Sequence, residues 1–398
     1  MSQAPAQSLA LDILAQRLDD QRRRGLARAL RGVGPATGPW VRVEGRPVLL
    51  MASNDYLGLA RHPRLAAAAA EAAGRLGSGS AASRLVSGTL DLHQELEKRI
   101  AAFKETEAAL FFATGYMANL GAVAGLGRKG DYVVSDALNH ASLIDACRLS
   151  RAELKVYPHA DAAQAEALLA QAPAGALKLL VTDGVFSMDG DLAPLPALMD
   201  AARRQGALLV VDDAHATGVW GPRGRGSLDH FGLAPGPELV MVGTFSKALG
   251  GLGGFVAGAQ TVIDSLIHQA RSFLYTTAPP PVQAAVAMEA LALVDDEAWR
   301  RQRLVELGEV FRRRLHGLGF SLLSTAGPIV PLMVGAAQPA LILAAGLLRH
   351  GVLAPAMRPP TVPEGASRIR FTITAAHTET DLETAAQALL AASQETSA

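Results

Sequence analysis

One lysine stands between an apolar run and a glycine cluster in Val240-Met241-Val242-Gly243-Thr244-Phe245-Ser246-Lys247-Ala248-Leu249-Gly250-Gly251-Leu252-Gly253-Gly254. The apolar run reads as a buried strand, and the glycines let backbone and ligand come close. Burying an ammonium without a partner costs several kcal/mol or drives its pKa down, so a lysine walled in by apolar residues is neutralised or used covalently. A neutral amine beside the Thr244 and Ser246 hydroxyls is a nucleophile toward aldehydes. Alone, the segment also fits a turn with an exposed lysine, and the residues upstream decide between the two.

Other stretches end an apolar run in a polar group. Leu208-Leu209-Val210-Val211-Asp212-Asp213-Ala214-His215 closes on a carboxylate, with a histidine three residues on. A buried acid there could pair with a protonated pyridine nitrogen, and the imidazole with a phenolic oxygen. A capping Asp with a packed His is the structural alternative; a metal pair lacks further His or carboxylate at ligand spacing. Phe111-Phe112-Ala113-Thr114-Gly115-Tyr116 is a strand, a glycine turn and a helix start. Its Gly115 and Tyr116 amides offer a phosphate seat, unless the glycine serves packing alone. His140 follows the Tyr132 to Ser135 run, as a ring able to stack on a flat cofactor or as a structural residue. Ser187 follows the strand ending at Thr182, and its nearest glycines, Gly184 and Gly190, stand too far off for a nucleophile elbow. Together a phosphate seat, a stacking ring, a hydroxyl, an acid with a histidine, and a lysine are what pyridoxal phosphate requires. Lys247 would be both its Schiff-base anchor and a proton carrier.

Groups so far apart in the chain converge only on a rigid sheet. Apolar runs at Ala108 to Ala113, Tyr132 to Ser135, Leu154 to Tyr157, Leu177 to Thr182, Ala207 to Asp212, Leu239 to Gly243 and Phe255 to Ala257 alternate with helical segments. Such runs predict an α/β fold, a largely parallel sheet covered on both faces, with ligands at the carboxyl ends of the strands. We divide the chain into an N-terminal helix and hairpin segment (1–50), a large cofactor-binding domain (51–284) and a smaller α+β domain (285–398), linked through Tyr275 to Pro281. The first part has a helix over 9–31 with Leu9, Leu11, Ile13, Leu14 and Leu18 at helical spacing. Its arginines, Arg22, Arg23, Arg24, Arg28 and Arg31, read as a solvated face; Pro35 to Pro39 breaks the chain, and a hairpin turns at Glu44-Gly45-Arg46. His93 reads as a surface or packing residue, and Asn54 in the polar turn Ser53 to Leu59 could cap structure or face a ligand. The last part has helices over Glu297 to Leu318 and Thr380 to Ala392, and strands near Ile329 to Val334 and Arg368 to Thr374.

The 398 residues carry 37 Lys+Arg and 37 Asp+Glu, a balance that gives no field to draw nucleic acid or an anionic membrane. The single cysteine, Cys147, excludes an internal disulfide and leaves too few thiols for structural zinc, which suits the cytoplasm. Met1 to Leu11 lacks the pattern of a targeting segment, and no apolar run nears the ~20 residues that span a bilayer.

Asn54-Asp55-Tyr56-Leu57-Gly58, Thr114-Gly115-Tyr116-Met117-Ala118-Asn119, Asp212-Asp213-Ala214-His215-Ala216-Thr217-Gly218 and Thr244-Phe245-Ser246-Lys247-Ala248 resemble the α-oxoamine synthases. These are pyridoxal-phosphate enzymes of the aspartate-aminotransferase fold (fold type I), and the resemblance runs from about Leu18 to about His377. It implies that Lys247 holds the cofactor covalently, Asp212 keeps the pyridine nitrogen protonated, His215 contacts the phenolic oxygen and His140 stacks on the ring. It further implies that the Gly115 and Tyr116 amides with Thr244 hold the phosphate and that Ser187 lines the cofactor. Arg370 would bind the amino-acid carboxylate with Asn54 nearby, and Arg28, Arg358 and Thr361 would lie toward the acyl substrate. Family members are homodimers with the site at the interface, so Thr276 or Thr277 would reach the partner's phosphate. Arg358-Pro359-Pro360-Thr361-Val362-Pro363 and Arg368 to His377 resemble the biotin-pathway member, which condenses L-alanine with pimeloyl-CoA or pimeloyl carrier protein. The alternative is a sibling using glycine or serine with another acyl-CoA.

Overall fold

The structure, a computed structural model, describes residues 9–324 and 326–397; the expectation that Met1 to Leu11 is not a targeting segment falls mainly on residues 1–8, outside them. Helix α1 (Leu9–Arg23) precedes the short strands β1 (Gly34–Thr37), β2 (Trp40–Val43) and β3 (Arg46–Leu50). β2 and β3 form the predicted hairpin, turned by Glu44 (φ 51°) and Gly45 (φ 79°), the left-handed pair whose twist matches that of the strands. Two expectations fail here. The helix stops at Arg23 and does not reach 31, because Gly25 turns the chain at φ 66°. Pro35 to Pro39 does not merely break the chain: residues Gly34–Thr37 pair with β2 at a sheet edge, where proline is tolerated. Arg22, Arg23 and Arg24 are exposed and pair with Asp19 and Asp20, as solvated charges do.

Helices α2 (Pro63–Leu76) and α3 (Asp91–Lys104) lead into the alternating region. It runs β4 (Ala108–Phe112), α4 (Gly115–Leu126), β5 (Tyr132–Asp136), α5 (Ala141–Ser150), β6 (Glu153–Tyr157), α6 (Ala162–Leu169) and β7 (Lys178–Asp183). It continues with α7 (Leu195–Gln205), β8 (Leu208–Asp212), α8 (Ser227–His230), β9 (Leu239–Thr244), β10 (Gly254–Gly258) and α9 (Gln260–Gln269). The strands make one 7-stranded sheet, ordered β4-β10-β9-β8-β7-β5-β6. β5 to β9 pair in parallel, and β10 runs antiparallel to β9 and β4. Val181, Val210 and Val242 face a core shared with Val123, Leu143 and Leu266 of α4, α5 and α9. Their neighbours Leu180, Leu209 and Met241 face the opposite core, with Ala165 of α6 and Leu198 and Met199 of α7. Both faces are buried, which is why the middles of β7, β8 and β9 are apolar at successive positions.

Register brings the strand ends level. Asp183 lies across from Asp212, Asp212 from Val242, Thr244 from Gly254 and Gly254 from Phe112. Beyond the sheet come α10 (Arg271–Leu274), α11 (Pro281–Asp296), α12 (Trp299–Gly317), β11 (Ile329–Gly335) and α13 (Ala337–Arg349). Then follow β12 (Val352–Leu353), β13 (Ala356–Met357), β14 (Ser367–Thr372) and α14 (Glu379–Ser397). β11, β14 and β13 form a second sheet, whereas β12 pairs in parallel with β3 and so joins the N-terminal hairpin. The division at 284/285 runs through α11, which packs on α2 and α3. Thr372 N donates to Met51 O and Ala375 N to Tyr56 O, each at 2.8 Å, so the turn carrying Asn54 is stitched to the end of β14. His93 is fully buried, its Nδ1 accepting from Leu90 N and its Nε2 2.9 Å from Pro279 O, which makes it a packing residue and not a surface one. Among the described residues no helix is long and apolar enough to cross a membrane.

Candidate active site

The turn after β9 presents Lys247. Gly250 N donates to Lys247 O at 2.9 Å, and a Cβ at Gly250 would lie 2.5 Å from Ala60 N, so only glycine lets this turn seat on the neighbouring loop. Lys247 Nζ is 2.8 Å from His215 Nε2. Burial pushes its pKa down to about 8, against the pull of the Asp212 and Asp183 carboxylates. Burial, with the Lys247 and Arg370 charges nearby, holds His215 well below the usual imidazole range, so its ring is neutral at pH 7. The other ring nitrogen, Nδ1, shares a 2.6 Å hydrogen bond with Tyr56 Oη. A neutral imidazole between an amine and a phenol accepts from one and donates to the other.

Asp212 ends β8 with its side chain buried. It accepts from Asn119 Nδ2 at 2.6 Å and from Ala214 N at 2.9 Å. Asn119 reaches it from α4 and also donates to Ser142 Oγ at 2.8 Å. Burial and the neighbouring Asp212 charge raise Asp183 well above the usual carboxylate range; it accepts from His140 N at 3.0 Å. His140 caps α5, its Nδ1 2.7 Å from Ser142 Oγ, with the ring left exposed.

The residues expected to seat a phosphate meet where α4 starts beside the end of β9. Thr114 caps the helix through Met117 N at 3.1 Å, leaving the first-turn amides of Gly115 and Tyr116 beyond the reach of any carbonyl in the helix. A Cβ on Gly115 would lie 3.1 Å from Thr244 Cβ, and one on Gly254 would lie 2.5 Å from Thr114 O. Two glycines thus let the positive helix end and the Thr244 hydroxyl share one cradle, which a side chain would fill. The set fits pyridoxal phosphate: amides for phosphate, a carboxylate for the pyridine nitrogen, and an amine of lowered pKa.

Arg370, buried on β14, donates through Nε to Ser187 O at 2.6 Å. Its terminal nitrogens lie 3.2 and 3.3 Å from Asn54 Oδ1 and 3.4 Å from Tyr56 Oη. A continuous chain of contacts therefore runs from Arg370 through Tyr56 and His215 to Lys247. Ser187 joins it through its carbonyl. Arg28, Arg358 and Thr361 come together elsewhere, lining a cavity of about 1300 Å³ between the 27–32 segment, the hairpin and α13; Lys247 is not part of its wall. Arg358 donates to Ala27 O at 2.8 Å and so fixes the segment carrying Arg28. Thr277 is exposed, Thr276 less so, and the two follow α10 at a bridge between Ser83 and Thr277. Sequence reading missed Tyr56, Asn119 and Asp183 as members of the site. Tyr56 and Asn119 stood inside motifs already singled out, and Asp183 ends a strand as Asp212 does.

The family model for aminotransferase class I and II matches residues 46–389. The chain is 50% identical over 378 residues to the 8-amino-7-oxononanoate synthase of Geobacter sulfurreducens, covering 94% of this chain and 96% of that one. It is 49% identical to the same enzyme of Halorhodospira halophila, covering 96% and 95%. Among solved structures, serine palmitoyltransferase of Sphingomonas wittichii superposes with a TM-score of 0.91 at 30% identity, covering 99% of each chain. A structure of SPT with PLP also gives 0.91, at 31% identity and 98% of each chain. The 8-amino-7-oxononanoate synthase of Francisella tularensis gives 0.76 at 28% identity, over 87% of this chain and 98% of that one. Fold and site together define a fold type I enzyme whose cofactor is pyridoxal phosphate. The chain belongs to the aminotransferase class I and II family, and within it to the 8-amino-7-oxononanoate synthases.

Proposed function

We propose that the chain joins L-alanine to the pimeloyl group of pimeloyl-CoA or pimeloyl carrier protein. Carbon dioxide and the free thiol leave, and the product is 8-amino-7-oxononanoate, for biotin biosynthesis. The observation that carries this reading is the 50% identity over nearly the whole chain to an 8-amino-7-oxononanoate synthase. Bound pyridoxal phosphate supplies an electron sink for the charge left at Cα. Arg370 grips the alanine carboxylate, with Asn54 bracing the guanidinium. Lys247 Nζ, its pKa lowered to about 8, takes the Cα proton and later returns one. His215 and Tyr56 hold that amine in place and give its proton a hydrogen-bonded partner. Asp212, held by Asn119 and Ala214 N, would pair with the pyridine nitrogen of the bound cofactor, and the exposed His140 ring would stack on it. Among the arginines of the 1300 Å³ cavity, Arg28 and Arg358 suit an anionic acyl donor.

A condensation of serine or glycine is the second reading, favoured by the TM-score of 0.91 to serine palmitoyltransferase. Backbone shape is shared among relatives that differ in substrate, whereas identity also samples the side chains that choose it, so the alanine reading stands first. Free thiol released from pimeloyl-CoA by pyridoxal-phosphate-loaded protein decides: release is expected with L-alanine and near background with glycine or serine. Silence with L-alanine, and release with glycine or serine and another acyl-CoA, would keep the family and discard this substrate pair.

The reading includes a cytoplasmic homodimer with the site at its interface. Supporting it, α1 buries none of its residues and exposes Leu11, Leu14 and Leu18 along one face, an apolar stripe that a second copy would cover. Light scattering should give about twice the 41.4 kDa of one chain; a monomer mass would remove this part of the reading.

A further inference from the structure

The Ser187 carbonyl that braces Arg370 belongs to a closed turn, residues 186–191. Phe186 N donates to Asp191 O at 2.9 Å and Gly190 N to Phe186 O at 2.8 Å. Side chains grip this turn from two directions. On one side Arg368 of β14 pairs with Asp189, and Ile329 of β11 packs so close to Gly190 that an added Cβ would lie 3.0 Å from Ile329 Cβ. On the other side His159, just after β6, stands between two carboxylates. Its Nδ1 is 3.0 Å from Asp136 Oδ1 at the end of β5, and its Nε2 is 2.9 Å from Asp191 Oδ2. The ring also meets Phe186 edge-on, with centroids 4.3 Å apart.

Asp136 is a rigid post, buried and accepting from Leu138 N at 2.8 Å and Ala160 N at 2.9 Å. Asp191 is not: its second oxygen is buried without a hydrogen-bond partner, so this carboxylate relies on the imidazole. Hydrogen bonds to Asp136 and Asp191 push the His159 pKa up to about 10, so the clamp stays cationic at neutral pH. We propose that His159 is a positioning residue for amino-acid binding: by tying the 186–191 turn to β5, it sets the Ser187 carbonyl that aims Arg370. Without the cation, the Asp136 and Asp191 carboxylates face each other uncompensated and the turn swings away. Arg370 then loses its Nε acceptor, and its grip on a carboxylate, which depends on planar alignment, loosens.

The inference rests on Arg370 binding the amino-acid carboxylate, so Arg370→Lys is measured beside His159→Gln. Full-length protein loaded with pyridoxal phosphate is titrated with L-alanine, read by the cofactor's absorption change, and KM is obtained for L-alanine and for pimeloyl-CoA. In His159→Gln the L-alanine Kd and KM are expected to rise roughly tenfold. The kcat and the KM for pimeloyl-CoA should stay within about twofold of the parent, because His159 meets Asp136, Asp191 and Phe186 and none of the residues assigned to proton transfer. Adding Asp191→Asn removes the uncompensated charge and should bring the L-alanine Kd back to within about threefold of the parent. Parental L-alanine binding in His159→Gln, with weakened binding in Arg370→Lys, would overturn the role of His159 alone. So would a His159→Gln protein whose melting point, kcat and both KM values worsen together, the mark of general loosening. Parental L-alanine binding in Arg370→Lys would remove the Arg370 reading, and this inference with it.

Discussion

Lys247→Ala is expected to lower thiol release from pimeloyl-CoA by roughly 10,000-fold or more, since proton transfer by a placed base contributes up to about that factor and the covalent anchor goes as well. Tyr56 remains to hold His215, and a half-buried amine costs desolvation, so the variant should melt no lower than the parent. The same amine predicts a pH dependence in the parent. Only the neutral form attacks an aldehyde, so the rate at which cofactor-free protein takes up pyridoxal phosphate should climb through about pH 8 and level off above it. An ordinary lysine would keep climbing to about pH 10.4. Near-parental turnover in Lys247→Ala would sink the mechanism; a loading rate still rising steeply above pH 9 would show that burial does not set this amine.

Asp212→Asn should slow turnover by about 100- to 1,000-fold, the range seen when one preorganised electrostatic partner of developing charge is removed. The fold should survive, because Asn119 can turn its amide. Its Oδ1 would then accept from the new amide and from Ser142 Oγ, while Nδ2 takes the buried position where Oδ1 now has no partner, a cost local to this side chain. The loss would therefore reflect a missing negative charge rather than a broken strand end. Exchange of the L-alanine Cα proton with solvent, followed by NMR, isolates this step from acyl transfer. Parental exchange in Asp212→Asn would require another role for the carboxylate.

Much of this site was legible in the chain because it lies at the ends of strands buried on both faces. Such strands are apolar at successive positions, so the first polar residue after the run, Asp212 after Leu208 to Val211, announces a sheet end without any knowledge of neighbours. Gly115 and Lys247 carried the same kind of local signal, a glycine where a helix begins and a lysine where a run stops. The end of α1 was misjudged because alternating leucines and arginines continue a helical pattern past Gly25, whose positive φ outweighs it. The pairing of β3 with β12 could not be read, since residues about three hundred positions apart leave no shared pattern.

By itself the sequence determined the chemistry on offer: an amine, a carboxylate, an imidazole and a helix amine end, each at the tip of an apolar run, within an α/β chain. Tertiary structure decided which of them meet. Register set Asp183 beside Asp212, the return of α4 over the sheet carried Asn119 to the Asp212 carboxylate, and the stitching of residues 51–56 to β14 put Tyr56 between Arg370 and His215. The physical reason is range. Hydrophobic period and turn chemistry act within a few residues and are written locally. A 2.6 Å contact between side chains 159 positions apart exists only when the packing of the whole core has chosen one arrangement.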